Sequence, residues 1–394
     1  MEQITKQDKL EVKNNIIKNS VPTIMSFIFA DFFTIIDTVL LGTIKDESTY
    51  AASLSAINVT SRILAFISAF TRGMNVASST ILARYDASQN KEKMQSTLIH
   101  TILLNVFMIS IPIFILVISF MKPIMLFIGN DSAIYDVGKG YYIAVMIGFV
   151  FSSFNNIMVF LTRAVCESKR SLKLEMFSNV FNVIGDVVLI NGLWIFPKLG
   201  VTGAGIATLI YKIALFAMYM WVLFKSDSKL RIDFKYKFKF DKEMIKNILH
   251  IGIPASSEVF AIRGANVLFT KIIATMGTTV LAAQQICITI FSFIVEVGNA
   301  LTVSIAPLVS KSIGEKRKNI AKLYIKTSKK ISIIFSSIIG GIILIFSNPI
   351  LNLYTDSDNI KSIVKTVLLI IIISQYAQNI QGVYAGGLRR VWRY

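Results

Sequence analysis

Two aspartates and an asparagine inside otherwise apolar runs are the residues of this chain best suited to chemistry. Asp37 lies in the run 19–44, and Asn182 and Asp186 lie four residues apart in the run 172–195. A spacing of four places two side chains on one face of a helix. Carboxylate and amide oxygens are the ligands that hard cations prefer. The pattern therefore predicts a site for a small cation or a proton.

A carboxylate at membrane depth is costly, at about 2.5–3.5 kcal/mol on insertion scales. Such a group needs a partner, a proton or a cation, and an ion or substrate pathway is the usual interpretation. Two alternatives stay open from the residues alone. Asp37 can be a buried aspartate that neighbouring hydroxyl groups satisfy, and Asn182 with Asp186 can simply hydrogen-bond one helix to another.

The helical rise places these groups at one level. At about 1.5 Å per residue, Asp37 lies roughly 27 Å beyond the start of its run, and Asp186 roughly 24 Å beyond the basic residue at position 170. Thr208 lies roughly 12 Å into the run 200–224, which begins at the opposite face. Tyr141 has a similar depth. We expect all four to meet in the outer half of one helix bundle.

The elements that carry these residues are membrane spans. Hydrophobic residues make up 54% of the chain and charged residues only 16%, against about 25% charged in soluble domains. The 394 residues could hold up to a dozen spans of about 20–25 residues. We therefore expect an all-α integral membrane protein, in which ten spans can be drawn: 19–44, 51–83, 95–120, 135–164, 172–195, 200–224, 244–275, 279–310, 320–346 and 360–388.

Lysine and arginine concentrate in alternate loops. Segments 225–246 and 311–330 carry eight each, whereas the intervening loops carry six in all. The positive-inside rule then places the N-terminus in the cytoplasm. This placement accounts for the net charge of +18 without a nucleic-acid partner. Residues 1–18 lack a signal-peptide cleavage site, so we expect the first span to be retained in the membrane.

Other charged residues also fall in the apolar runs. Glu258 can line a cavity and attract cationic solutes, or it can belong to a structural ion pair. Arg263 and Glu296 are both near mid-span, so we expect them to pair. Lys212 and Lys271 are expected to lie near enough to span ends for their ammonium groups to reach the interface.

Enzyme chemistry finds little support in the sequence. The two cysteines and two histidines have neither a disulfide framework nor metal-ligand spacing. We find no phosphate-binding Gly-Lys-Ser/Thr loop, so ATP-driven transport is not expected. The expectation is a protein without a cofactor that is not an enzyme.

The two halves of the chain look like copies. Pro22 and Ala52 are 30 residues apart, and Pro254 and Ala283 are 29 apart at the equivalent points of the second half. Parallel repeats of this kind are typical of transporters, with the substrate site between the halves. The predicted organisation is an N-terminal lobe of six helices at 1–227, a cytoplasmic linker at 228–241, and a C-terminal lobe of four helices at 242–394.

Several stretches resemble a known family when taken in order. They are "IIDTVLLG" (35–42), "RGMNVASSTILARYDAS" (72–88), "FLTRAVCESKRS" (160–171), "FNVIGDVVLI" (181–190), "LGVTGAGIAT" (199–208), "GNALTVSIAPLVSKSIGEKRK" (298–318) and "GGLRR" (386–390). Together they resemble the MATE (multidrug and toxic compound extrusion) transporters, nearest to the bacterial DinF-type branch.

The resemblance implies a two-lobed bundle of twelve helices with a Na⁺/H⁺ coupling site in the N-terminal lobe. Asp37, Asn182 and Asp186 stand where its motif residues stand, and Thr208 and Tyr141 (or Tyr142) are carried over with them. Two features depart from the family. Cys166-Glu167 replaces the usual Gly-Asp pair, and only ten of twelve expected helices can be drawn, so a C-terminally truncated chain is expected.

The function that this resemblance implies is multidrug efflux. A monomer in the lipid bilayer would export small amphipathic organic solutes in exchange for Na⁺ or H⁺, both of which suit a carboxylate. The alternative is a lipid-linked saccharide flippase of the same superfamily. Cavities of such flippases tend to be strongly cationic, whereas few basic residues fall within the spans of this chain, which favours efflux.

Overall fold

The structure, a computed structural model, describes residues 5–41, 47–129, 132–193, 195–233, 238–274, 278–352 and 358–388. The side chains of 30–52 and most of those of 266–297 lie outside this description. The described helices are α1 (Lys6–Leu41), α2 (Glu47–Ala87), α3 (Lys91–Ser119), α4 (Met121–Gly129), α5 (Ser132–Ala164), α6 (Ser168–Asn191), α7 (Val201–Phe224), α8 (Lys242–Ala274), α9 (Thr278–Gly314), α10 (Lys318–Ile345), α11 (Ser347–Asn352) and α12 (Asp358–Leu388).

Long apolar runs become helices because a backbone in lipid must satisfy its own hydrogen bonds. Within the described residues, stretches of α3, α5, α6, α7, α10 and α12 are long and apolar enough to cross a membrane. This finding confirms the prediction of an all-α integral membrane protein. The number of ten spans stays a prediction.

Helix α1 begins at Lys6, well before the apolar run that starts at residue 19. Its first turn is fixed by a reciprocal cap. The Asp8 backbone N–H donates to the Thr5 hydroxyl at 3.1 Å, and the Thr5 backbone N–H donates to Asp8 Oδ2 at 2.9 Å. Such a capping box satisfies donors that a helix N-terminus otherwise leaves without partners. The charged segment before the apolar run is therefore helical from Lys6 onwards, directly after the cap at Thr5.

The chain divides into two compact units. One comprises Met1–Ile28 and Ala261–Tyr394, and the other Phe29–Phe260. In the second unit α5 packs against α2, α3, α4, α6 and α7, which makes it the central helix. In the first unit α9, α10 and α12 pack against one another. The lobe boundaries proposed from the sequence, 1–227 and 242–394 with a linker at 228–241, stay a prediction.

Residues related by the sequence repeat occupy equivalent buried clusters. Ile16 of α1 and Ile305 of α9 belong to one cluster of the first unit. Ile248 of α8 and Met74 of α2 belong to one cluster of the second unit. Ile248 follows Ile16 by the same number of positions as Pro254 follows Pro22. Ile305 follows Met74 by the same number as Ala283 follows Ala52. The internal repeat therefore extends from sequence to packing.

Helices α6 and α7 form an antiparallel hairpin. Gly192 ends α6 in the left-handed conformation, with φ of +71°. Beyond it, the Leu199 N–H donates to the Leu189 carbonyl oxygen at 3.0 Å, and the Gly200 N–H donates to the Ile190 carbonyl oxygen at 3.3 Å. These bonds hold the start of α7 against the last turn of α6. They fix which residues of the two helices lie at the same level.

Candidate functional site

Asn182 and Asp186 lie on one buried face of α6. They are 4% and 1% exposed, and Asn182 Nδ2 donates to Asp186 Oδ2 at 2.8 Å. The structure thus brings together the two residues whose spacing singled them out. An amide donor offsets part of the cost of burying a carboxylate. A full negative charge at this depth still favours a nearby cation or a proton.

Close packing of α6 on α7 sets the level of Thr208. A Cβ atom on Gly185 would lie only 2.9 Å from the Cβ atom of Ala207, so the helices approach where α6 has no side chain. Asp186 directly follows Gly185 in the chain, and Thr208 directly follows Ala207. Thr208 is partly buried. Asp186 and Thr208 therefore lie at about one level on two adjoining helices, and with Asn182 one turn away on α6 they offer the oxygen atoms that a hard cation prefers.

The two candidate tyrosines face different neighbours. A Cβ atom on Gly205 of α7 would lie 3.0 Å from the Cα atom of Tyr141, so Tyr141 borders the helix that carries Thr208. Tyr142 is fully buried on the other side of α5, where its hydroxyl donates to the Val117 carbonyl oxygen of α3 at 3.2 Å. Of the two, Tyr141 is the one shown to border α7.

Some predicted residues fall outside this arrangement or outside the description. Asp37 belongs to α1, but its side chain lies outside the described residues, so its part in the site stays a prediction. Glu258 is an exposed residue of α8. Arg263 is also exposed, and the side chain of Glu296 lies outside the description, so their pairing stays a prediction.

A chelating cluster of the transition-metal type is absent from the part of the chain that the structure describes. No group of three or more His, Cys, Asp or Glu side chains there could hold a metal ion. The chemistry open to Asn182, Asp186 and Thr208 is binding of a proton or a hard cation through oxygen atoms.

A family profile described as MatE matches residues 22–188 and 254–392, which is more than half of the chain and includes both repeat copies. The chain belongs to the MatE family. Proteins of this family are transporters, so this MatE protein is a membrane transporter and not an enzyme. The match also confirms the resemblance to MATE transporters.

Two relatives and one solved structure illustrate the similarity. The MatE chain is 26% identical over 358 residues to the uncharacterized transporter YisQ of Bacillus subtilis, with 90% of this chain and 76% of the relative covered. It is 26% identical over 377 residues to the probable multidrug resistance protein NorM of Photorhabdus laumondii, with 94% and 80% covered. A crystal structure of MATE in complex with MaD3S matches with a TM-score of 0.86 at 18% identity, covering 99% of this chain and 86% of the other.

The structural likeness, at that identity, concerns the fold alone and confirms a MATE-type helix bundle. Assignment to the DinF-type branch and truncation at the C-terminus stay predictions.

Lys212 of the MatE protein is a charged residue that the sequence reasoning misjudged. We expected it near a span end, but it lies eleven residues beyond the first residue of α7, a helix of 24 residues. Its side chain runs along α5, where a Cβ atom on Gly148 would lie 3.0 Å from Lys212 Cδ and 3.4 Å from Nζ. The signal was present in the sequence, because the predicted span 200–224 already has Lys212 at its centre.

A second polar network joins α5, α6 and α7 at their other end. Arg163 Nη2 lies 3.4 Å from Glu175 Oε1, and the Ser171 hydroxyl donates to the same oxygen at 3.2 Å. Tyr219 of α7 lies 3.2 Å from the Ser171 oxygen. Because the one Ser171 proton points to the carboxylate, the Tyr219 hydroxyl is the donor to Ser171. These charges compensate one another, so this network is distinct from the Asp186 site.

Cys166 and Glu167, which depart from the family pattern, differ in how well they suit the α5–α6 turn. Cys166 adopts φ of +63°, the left-handed conformation that glycine accommodates most easily. Glu167 accepts from the Ser228 hydroxyl at 2.8 Å and from the Lys229 backbone N–H at 3.0 Å, and it lies 3.2 Å from Arg170. Glu167 thus links the α5–α6 turn to the segment after α7 through hydrogen bonds that its carboxylate accepts.

Proposed function

We propose that this MatE protein exports amphipathic organic solutes in exchange for a small cation, Na⁺ or H⁺. The observation that carries the proposal is the buried Asn182–Asp186 pair at the level of Thr208. Relatives named as multidrug resistance proteins support the efflux direction. The lipid-linked saccharide flippase is not favoured by these relatives.

The energetic basis is the cost of an ionised carboxylate in the membrane. Binding a cation or a proton at Asp186 removes most of that cost, so the loaded and empty forms differ in their preferred packing. The Gly185–Ala207 contact adjoins the carboxylate and is tight enough for a small change at Asp186 to alter how α6 packs on α7. In the proposed scheme Asp37 of α1 is the second carboxylate.

Orientation, location and assembly belong to the same proposal. The distribution of basic residues supports a cytoplasmic N-terminus in a bacterial cytoplasmic membrane. We propose a monomer as the working unit, and the predicted lobes are the parts that move. A reporter fused at the N-terminus and at residue 226 would test the orientation: both positions should give the cytoplasmic signal.

Reconstituted transport tests the coupling site directly. Asp186→Asn and Asp37→Asn should each lower ion-driven efflux of a cationic amphipathic dye at least about tenfold, since neutralising a carboxylate removes the charge that the ion compensates. Asp136→Asn makes the same chemical change at an exposed residue of α5 and should transport like the wild type. Undiminished coupled efflux in both site variants would refute the proposal.

The driving ion is decided by imposing one gradient at a time. Vesicles with a Na⁺ gradient at constant pH and vesicles with a pH gradient in Na⁺-free buffer separate the two ions. Suppose that wild-type efflux responds to one of the two gradients and that efflux by Asp186→Asn does not respond to it. The ion of that gradient is then the one that uses this site. Efflux driven by neither gradient would exclude cation antiport.

A further inference from the structure

Lys212 is a membrane-embedded charge that the transport scheme above does not use. It lies in the middle of α7, roughly 16 Å from the first residue of that helix. A lysine side chain can reach an interface only from nearer a helix end. Among the described residues its ammonium group forms no ion pair. The side chain is partly buried and lies against α5 at mid-helix.

The packing of α5 on α7 fixes where this charge lies. Tyr141 of α5 meets Gly205 of α7, and seven residues further along both helices Gly148 meets Lys212. Asn155, seven residues beyond Gly148 on α5, donates from Nδ2 to the Lys212 carbonyl oxygen at 2.8 Å. The two helices therefore run parallel, and Gly148 meets the end of the Lys212 side chain, which extends back towards the start of α7. The missing side chain at Gly148 provides the space into which the Lys212 chain extends.

The ammonium group and the Asp186 carboxylate occupy similar levels. Side chains on a helix lean towards its N-terminus, and Lys212 is four residues, ~6 Å, beyond Thr208. The ammonium therefore returns to about the level of Thr208, which is also that of Asp186. Because α5, α6 and α7 all pack on one another, the two charges lie within one group of three helices.

Other charges on these three helices lie elsewhere. Arg163 and Glu175 compensate each other near the opposite end. The basic residues of α6 lie at that same end, in its first two turns: Lys169, Arg170 and Lys173. Asp136 and Lys139 are exposed at the start of α5. Within the described parts of α5, α6 and α7, Lys212 is thus the basic residue that can act on Asp186 through a poorly screened medium.

We propose that Lys212 is a resident counter-charge of the Asp186 site, whose ammonium group opposes binding of the coupling cation and speeds its release. This inference rests on the proposed function, since it concerns the same site. The consequence is a split effect. Without the ammonium group, the site binds its cation more tightly and releases it more slowly, so both the half-saturating ion concentration and the maximal rate fall.

The test measures dye efflux from proteoliposomes against the concentration of the driving ion, with Na⁺ at fixed pH and H⁺ in Na⁺-free buffer as the two probes. In Lys212→Met we expect the half-saturating concentration to fall about tenfold, equivalent to about 1.4 kcal/mol, with a lower maximal rate. Lys212→Arg retains the charge and should keep the wild-type half-saturating concentration. Lys139→Met removes the same charge at an exposed position and should change neither parameter.

Folding is checked by thermal unfolding of each purified variant, and Lys212→Gln replaces Lys212→Met if the latter is unstable. A half-saturating concentration within twofold of the wild type would overturn the counter-charge, and so would an equal shift in Lys139→Met. Asp186→Asn is measured in parallel. If it saturates like the wild type, the proposed coupling site fails; if it alone is altered, the site stands and the role of Lys212 is refuted.

Discussion

Gly73 of α2 and Gly252 of α8 meet backbone to backbone. A Cβ atom on Gly73 would overlap the Gly252 carbonyl oxygen and the Ser256 hydroxyl, and one on Gly252 would lie 3.2 Å from the Cα atom of Met74 and overlap its sulfur. Ser256 adds a hydrogen bond from its hydroxyl to the Phe70 carbonyl oxygen at 3.3 Å. The crossing is possible because both helices lack a side chain at that point.

Gly252→Ala should therefore destabilise the protein by roughly 1–3 kcal/mol, since an added methyl group forces the crossing apart. Thermal unfolding in detergent measures the change. Gly264→Ala is the matched control, because Gly264 lies on the same helix and a Cβ atom there would meet nothing within 4 Å. The control should gain up to about 1 kcal/mol from helix propensity. Equal effects of the two changes would contradict the packing argument.

The Gly185–Ala207 contact gives a prediction for the coupling site. Gly185→Ala adds a methyl group 2.9 Å from the Ala207 Cβ atom, which separates α6 from α7 beside Asp186. We expect weaker binding of the driving ion, seen as a several-fold higher half-saturating concentration in efflux assays. The double variant Gly185→Ala/Ala207→Gly restores the space and should recover most of the loss. A double variant as impaired as the single one would show that crowding is not the cause.

Cys166 offers a stabilising change. Its φ of +63° costs a residue with a Cβ atom roughly 1–2 kcal/mol. Glycine avoids this cost, but it makes the unfolded chain more flexible, which offsets part of the gain in stability. We expect Cys166→Gly to raise the free energy of unfolding by about 0.5–1 kcal/mol. Cys166→Ala removes the thiol but keeps the Cβ atom, so it should bring no gain. If alanine stabilised as much as glycine, the thiol and not the backbone would be responsible.

The cap of α1 predicts a pH dependence. Hydrogen bonds from the Thr5 backbone N–H and hydroxyl, with Arg317 nearby, lower the pKa of the Asp8 carboxyl below its ordinary value of 3.8. A lowered carboxyl pKa contributes stability above pH 3.8, and that stability is lost as the pH falls through the folded-state pKa. Wild type and Asp8→Ala should thus differ in thermal midpoint at pH 7.

At pH values below that folded-state pKa the two proteins should converge. Thermal unfolding from neutral to acid pH measures this, and Glu11→Ala, a change at an exposed residue of the same helix, is the control expected to leave the pH profile unchanged. A gap between wild type and Asp8→Ala that stays constant throughout would show that the carboxylate charge does not matter to the cap.

Several features of the site could be read from the sequence because they depend on short-range geometry. The four-residue spacing of Asn182 and Asp186 required a shared helical face, and the structure has them hydrogen-bonded. Apolar runs required helices, and the repeat of the halves appears again in equivalent buried clusters. Each of these follows from the helical period or from the solvent, without knowledge of neighbours.

Other features required the packed molecule. The sequence could not choose between Tyr141 and Tyr142, since adjacent residues differ only in which helix they face. The mid-span position of Lys212 follows from the predicted span 200–224, but the space that accepts its side chain is supplied by Gly148, 64 positions earlier in the chain. The crossing at Gly73 and Gly252 likewise depends on two glycines 179 positions apart.

Composition and the helical period act locally, so the sequence by itself determined a helical membrane protein with oxygen ligands in its apolar runs, and the order of its motifs indicated the MatE family. Only the tertiary structure decided which helices approach closely enough to place Gly185, beside Asp186, against α7, and the Lys212 side chain against Gly148. Close approach depends on where one helix lacks a side chain opposite another that has one, and that is a relation between distant positions.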